Sequence, residues 1–96
     1  MTKGDVAATH VSVVAGSYMN IRPGSGAEWS IHNIYFGTSA RLFKTNGTND
    51  IELDSKTGTG GWLYYVFSLN NTYFIRVKND SGGSGYFGYD GKVSKA

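Results

Sequence analysis

No stretch of this chain keeps a helical repeat of apolar residues for three turns, because a glycine, the one proline or an asparagine turn interrupts each run first. What lies between the breaks is short and rich in β-branched and aromatic residues, the composition of strands. Val11-Ser12-Val13-Val14 closes at Ala15-Gly16, and Tyr18-Met19-Asn20-Ile21-Arg22 closes at Pro23-Gly24-Ser25-Gly26. The proline fixes its own φ and pushes Arg22 toward an extended backbone, so covalent geometry sets that turn. Residues 28–36 form a third run, whose apolar phase passes through Trp29 and Ile31 and then shifts to Ile34 and Phe36. A shift of face inside one strand predicts a β-bulge near His32-Asn33.

Arg41-Leu42-Phe43-Lys44 leads into Thr45-Asn46-Gly47-Thr48-Asn49, and Asn-Gly between strand-like runs is the strongest short hairpin signal. The return strand, Asp50-Ile51-Glu52-Leu53-Asp54, alternates, which predicts Ile51 and Leu53 inward and the three carboxylates outward. After the glycine-rich turn 57–61, residues 62–69 are apolar on both phases except at Ser68. That pattern predicts a central strand covered on both sides, with Trp62 and Tyr64 on one face and Leu63, Tyr65 and Phe67 on the other. Strands over 72–78 and 86–93 follow, separated by a loop at 79–85. About eight short strands at this spacing predict an all-β fold: one antiparallel β-sandwich of jelly-roll type, or a small barrel. The expected organisation is a flexible polar arm over residues 1–10 and a single domain over 11–96, since the length leaves no room for a second core.

Charge and composition narrow the function classes. The net charge is +2, and the basic residues stand singly along the chain, which is not the patch or stripe expected of a nucleic-acid binder. No apolar run approaches the ~20 residues of a membrane span, and the opening residues contain no signal-peptide apolar core. With no cysteine, neither a disulfide nor a thiolate metal site can brace the fold.

Candidate chemistry is sparse. Asp50, Glu52 and Asp54, at i, i+2 and i+4, share one face of an extended strand, where they would repel edge-to-edge pairing; calcium ligands more usually come from a loop that wraps the ion. His10 and His32 are the two histidines, and no Gly-x-Ser-x-Gly or His-Glu-x-x-His surrounds them, so neither an enzyme nor a metal site is expected. His32 is expected to be hydrogen-bonded and half-buried at the bulge. The runs 58–61 and 82–85 are glycine-rich but precede no helix, so they read as turns rather than phosphate cradles. Three Asn-x-Ser/Thr matches, at Asn46, Asn70 and Asn79, fall in the predicted turns. No cofactor is expected.

The aromatic residues are in surplus. Fourteen rings are more than one inner face of a sandwich this small can take up, so some are expected at an interface, where Tyr and Trp are common anchors. The candidates are Trp62, Tyr64, Tyr65, Tyr86 and Tyr89.

Most of the chain, from Val11 to Lys92, resembles the small β-structured accessory proteins of tailed-bacteriophage virions. The resemblance is carried by Tyr18-Met19-Asn20-Ile21-Arg22-Pro23 and Glu28-Trp29-Ser30-Ile31-His32-Asn33-Ile34. Leu42-Phe43-Lys44-Thr45-Asn46-Gly47-Thr48, Tyr73-Phe74-Ile75-Arg76-Val77-Lys78-Asn79 and Gly88-Tyr89-Asp90-Gly91 extend it. It implies a capsid-decoration (cement) or fibre-associated protein, made in a bacterial cytoplasm and carried on the virion surface. Its partners would be the major capsid protein or another virion protein and its own copies, a homotrimer matching the local threefold positions of a shell, with no nucleic acid and no membrane. The alternative implied is a receptor- or carbohydrate-binding module of a phage fibre.

Overall fold

The structure is a computed structural model that describes residues 2–96. Among the described residues there is no helix, and so none long and apolar enough to cross a membrane. The strands are β1 (Val6–Val13), β2 (Tyr18–Ile21), β3 (Glu28–Phe36), β4 (Ala40–Thr45), β5 (Asp50–Lys56), β6 (Gly60–Trp62), β7 (Phe67–Asn70), β8 (Phe74–Asn79) and β9 (Gly85–Lys95). They form two antiparallel sheets. A five-stranded sheet runs β1-β9-β3-β6, with β7 also paired to β3, and a four-stranded sheet runs β2-β8-β4-β5.

The pairing is nested about one turn. β4 pairs with β5, β3 with β6 and β7, β2 with β8, and β1 with β9, so the chain is one long hairpin centred on residues 46–49. Rolling that hairpin into two layers adds the β3–β9 and β4–β8 contacts. This is the wiring of a jelly-roll sandwich, with β6 and β7 together filling the place of one strand. The central turn closes as its Asn-Gly predicts. Asn46 Oδ1 accepts the amides of Thr48 (3.0 Å) and Asn49 (2.8 Å), and Gly47 takes a φ of 92° that a side chain would resist.

The core lies between the sheets and follows period-2 alternation. Met19 and Ile21, Ile75 and Val77, and Phe87, Tyr89 and Val93 point inward from β2, β8 and β9, against Ile31, Ile34, Phe36, Leu42 and Trp62. Each such side chain, taken fully from water, stabilises the fold by roughly 1.5–3 kcal/mol. The bulge predicted in β3 is present: its register to β9 shifts between Ile31 and Asn33, which is what lets both Ile31 and Ile34 face inward.

Three expectations are corrected. First, residues 62–69 are not one central strand. β6 and β7 pair with separate parts of β3, residues 34–36 and 28–31, and the chain loops out over 63–66 where β3 bulges. Second, β5 does not turn Ile51 and Leu53 inward; they are 66% and 48% exposed because β5 is an outermost strand that overhangs the core. A bulge at Leu53, where Leu42 pairs with Asp54 and Phe43 with Glu52, also sends Asp54 to the opposite face from Asp50 and Glu52. Third, the arm expected over 1–10 is strand from Val6 onward. Gly4 and Asp5 already bond to Val93 at 2.7 and 2.9 Å, while Met1 lies outside the described residues. Ala7 and Ala8 carry little strand propensity of their own, but β9 supplies the backbone partner whatever the side chain.

Candidate contact surface

The two sheets present outer faces of different character. On the four-stranded sheet Arg76 and Arg41 are matched within the molecule, while Lys78, in phase with Arg76 on β8, makes no ion pair among the described residues. The Arg76 guanidinium lies 3.8 Å over the Tyr18 ring, donates to Asn20 Oδ1 at 3.2 Å and sits 3.3 Å from Asp50. Arg41 bridges Asp80 (3.0 Å) and Glu52 (3.6 Å). Exposed pairs like these add little stability.

The outer face of the five-stranded sheet carries exposed rings. Its register sets His10, Gly88, Tyr35 and Gly61 in one row across four strands. Ile34 and Phe36 are buried, so Tyr35 between them points out, and it lies close over Gly88, where a Cβ would come within 3.1 Å of its ring. Leu63 covers Gly61 in the same way, at 3.2 Å. Beside the row, Tyr86 is 64% exposed and meets His10 edge to face, the ring centroids 5.5 Å apart. The two glycines thus leave a low floor along which Tyr35, Tyr86, His10 and Leu63 stand out.

The 63–66 loop rises at one side of this floor. Asn33, in the β3 bulge, donates to Asp90 Oδ1 at 2.8 Å, and its Oδ1 accepts the Tyr64 amide at 3.0 Å. This relay holds Tyr64 at a φ of 64°, the one non-glycine residue in left-handed backbone among those described, with its side chain 92% exposed. Such a backbone conformation costs on the order of 1 kcal/mol for a residue with a Cβ. Tyr65, 48% exposed, packs edge-on against Phe67.

Of the five residues expected at an interface, then, Tyr64, Tyr65 and Tyr86 are on the surface and Trp62 and Tyr89 are in the core. Trp62 packs on Phe36 at 4.8 Å and donates its Nε1–H to Asp54 Oδ2 at 2.7 Å, which ties the edge of one sheet to the other. That hydrogen bond, and then the Ser55 amide, hold the Asp54 carboxyl below the ordinary aspartate range. Tyr89 lies beside Trp29, and burial pushes its hydroxyl pKa up. Tyr35 and Leu63 were missed as surface residues, and the signal for Tyr35 was available in the alternation around Ile34 and Phe36.

The remaining candidates are dispersed. His32 is exposed, not half-buried, and Asn33 makes the bonds at the bulge. Asp50 and Glu52 face Arg76 and Arg41 while Asp54 holds Trp62, so the three carboxylates do not converge. Among the described residues no three His, Asp or Glu side chains gather closely enough to hold a metal ion. A hollow of about 260 Å³ near Glu28, Asn71 and Lys95 is smaller and more polar than the usual small-molecule site. No protein-family model matches the chain, and no curated sequence is significantly similar to it.

Proposed function

We propose that this domain is a structural virion protein of the decoration type, which binds a capsid by surface contact and self-associates on it. The observation that supports the reading best is Tyr64: a ring almost wholly in water, kept there at a cost in backbone strain, beside a face of tyrosines. Strain that the fold maintains at an exposed residue points to a use outside the fold. Tyrosines on a rigid sheet offer large contact area with little side-chain entropy to lose, which suits protein recognition. A jelly roll serves capsid and lectin domains alike, so the fold is compatible with the reading without assigning it.

The experiment adds purified protein to particles that lack it and measures saturation and resistance of the shell to heat. The expected result is stoichiometric uptake with raised heat resistance, both lost in a Tyr64→Ala/Tyr86→Ala variant that still folds. Binding to host-cell glycans with no affinity for the shell would replace this reading with the fibre-module alternative.

A further inference from the structure

A sandwich has four sheet edges, and this sequence blunts three of them. β5 carries Asp50, Glu52, Asp54 and Lys56 and a bulge at Leu53. β2 has four residues and runs into Pro23. The edge opposite β1 is split between β6 and β7 by the 63–66 loop. Charges, bulges, brevity and interruption are the devices that keep edge strands from pairing with other chains.

β1 has none of them. It is eight residues long, pairs with β9 in unbroken register from Val6 to Val13, and carries no Lys, Arg, Asp, Glu or Pro. The direction of its backbone groups follows from its neighbour. Tyr86 carbonyl accepts the Gly37 amide on the β3 side, so Tyr86 and Gly88 turn their backbone groups toward β3, and Phe87 and Tyr89 turn theirs toward β1. Val11 and Thr9, opposite these two, therefore bond to β9, and the N–H and C=O of Ala8, His10 and Ser12 point away from the sheet. The side chains of these three are all exposed.

We propose that β1 is a strand-addition edge whose occupant is β1 of a second copy, antiparallel about a two-fold axis at His10. The segment from Val6 to Val14 is nearly palindromic about that residue: Val6 would face Val14 of the second copy, Ala8 would face Ser12, and Thr9 would face Val11. In these pairs small meets small and β-branched meets β-branched, Ala7 would face Val13 as the one mismatch, and no like charges oppose each other. Ala8, His10 and Ser12 supply roughly six backbone hydrogen bonds across the axis, two for each of three pairs. The interface is isologous and closes at two copies, so it does not propagate into a fibre. It joins the five-stranded sheets into one continuous sheet and brings two His10–Tyr86 pairs together at the axis.

This gives a site to the self-association in the reading above, and its test does not depend on capsid binding. The contact is shorter than a standard ~1,600 Å² interface, so the dimer is weak and forms at high protein concentration. The experiment measures mass by sedimentation and amide exchange by NMR from about ten micromolar to one millimolar. The expected result is a two-chain species, with Ala8, His10 and Ser12 amides gaining protection as it forms and those of Thr9 and Val11 protected throughout. Ala8→Pro removes an outward donor without touching the bonds to β9 and should weaken the dimer at least tenfold. His10→Lys, which sets two like charges at the axis, should do the same should Ala8→Pro fail to fold. A monomer at one millimolar overturns the proposal, as does a trimer with the three amides unprotected, or a dimer that both variants leave intact.

Discussion

Gly91 is where the packing can be tested most sharply. It lies on β9 in the inward phase between Tyr89 and Val93, opposite Ile31, at the point where the β3 register shifts. A Cβ built there would collide with the Ser30 carbonyl oxygen and come within 2.7 Å of Ile31 Cα. Both obstacles are backbone, so no side-chain rotation relieves them; β3 and β9 must separate at the centre of the larger sheet. Overpacking in a well-packed core costs about 1–3 kcal/mol, and a backbone collision belongs at the upper end. For a domain of this size, 1 kcal/mol moves Tm by roughly 4–8 °C, so Gly91→Ala should lower Tm by about 12–24 °C. Gly83→Ala is the control: nothing lies within 4 Å of its added Cβ and its φ is not positive. It should be neutral or slightly stabilising, by up to about 1 kcal/mol, through the unfolded chain. Thermal unfolding followed by circular dichroism, with both variants confirmed as folded at 20 °C, decides it. A Tm drop below about 4 °C for Gly91→Ala, or one no larger than the control's, would refute the close approach of β3 to β9.

Three further outcomes are expected. Asn79→Ala should lose about 1–3 kcal/mol in denaturant titration, because this fully buried amide donates to the Val13 and Gly83 carbonyls at 2.8 and 2.9 Å and accepts from Ser81. Tyr64→Gly should raise Tm while lowering particle uptake, since glycine accepts the left-handed backbone and removes the ring. The Tm gap between the natural chain and Trp62→Phe should narrow as pH falls from about 5 to 2.5: a lowered Asp54 pKa gives stability above the ordinary aspartate value that is lost as pH falls through the folded one, and Trp62 is its largest cause.

Sequence was most informative where the signal was local. The bounds of β3 and its bulge were legible because the shift from Trp29 and Ile31 to Ile34 and Phe36 records which face each side chain takes. The Asn46-Gly47 turn was legible because its chemistry needs only four residues. By contrast, residues 62–69 look continuous in sequence, and the break at 63–66 is imposed by Asn33, about thirty positions away, which holds the Tyr64 amide. Aromatic surplus counts rings without locating them, so it cannot separate the buried Trp62 and Tyr89 from the interface candidates; burial of Trp62 depends on Asp54 in the other sheet accepting its N–H. Ile51 and Leu53 alternate correctly for an inward face, but whether that face has a cover is decided by the strand order.

The nested topology also predicts which strand is held least firmly. Pairing of β4 with β5 closes a turn of a few residues, whereas the innermost β1–β9 pair, Val13 with Gly85, closes a loop of 72. Loop-closure entropy grows as the logarithm of length, so this pair costs roughly 2.4 kcal/mol more to close than the central turn. β1 recovers less of that cost than an inner strand, since it has a bonded neighbour on one side only and few buried side chains beyond Ala7 and Val13. β8, by comparison, is bonded on both sides and buries Ile75 and Val77 completely. At low protein concentration, the β9-bonded amides of Thr9 and Val11 should therefore exchange through a local opening, ahead of global unfolding, while those of Ile75 and Val77 exchange only with the whole domain. Native-state hydrogen exchange across a denaturant series measures both. Should Thr9 and Val11 merge with Ile75 and Val77 at zero denaturant, β1 would be an integral wall of the sandwich, and the argument from its one-sided pairing would fail.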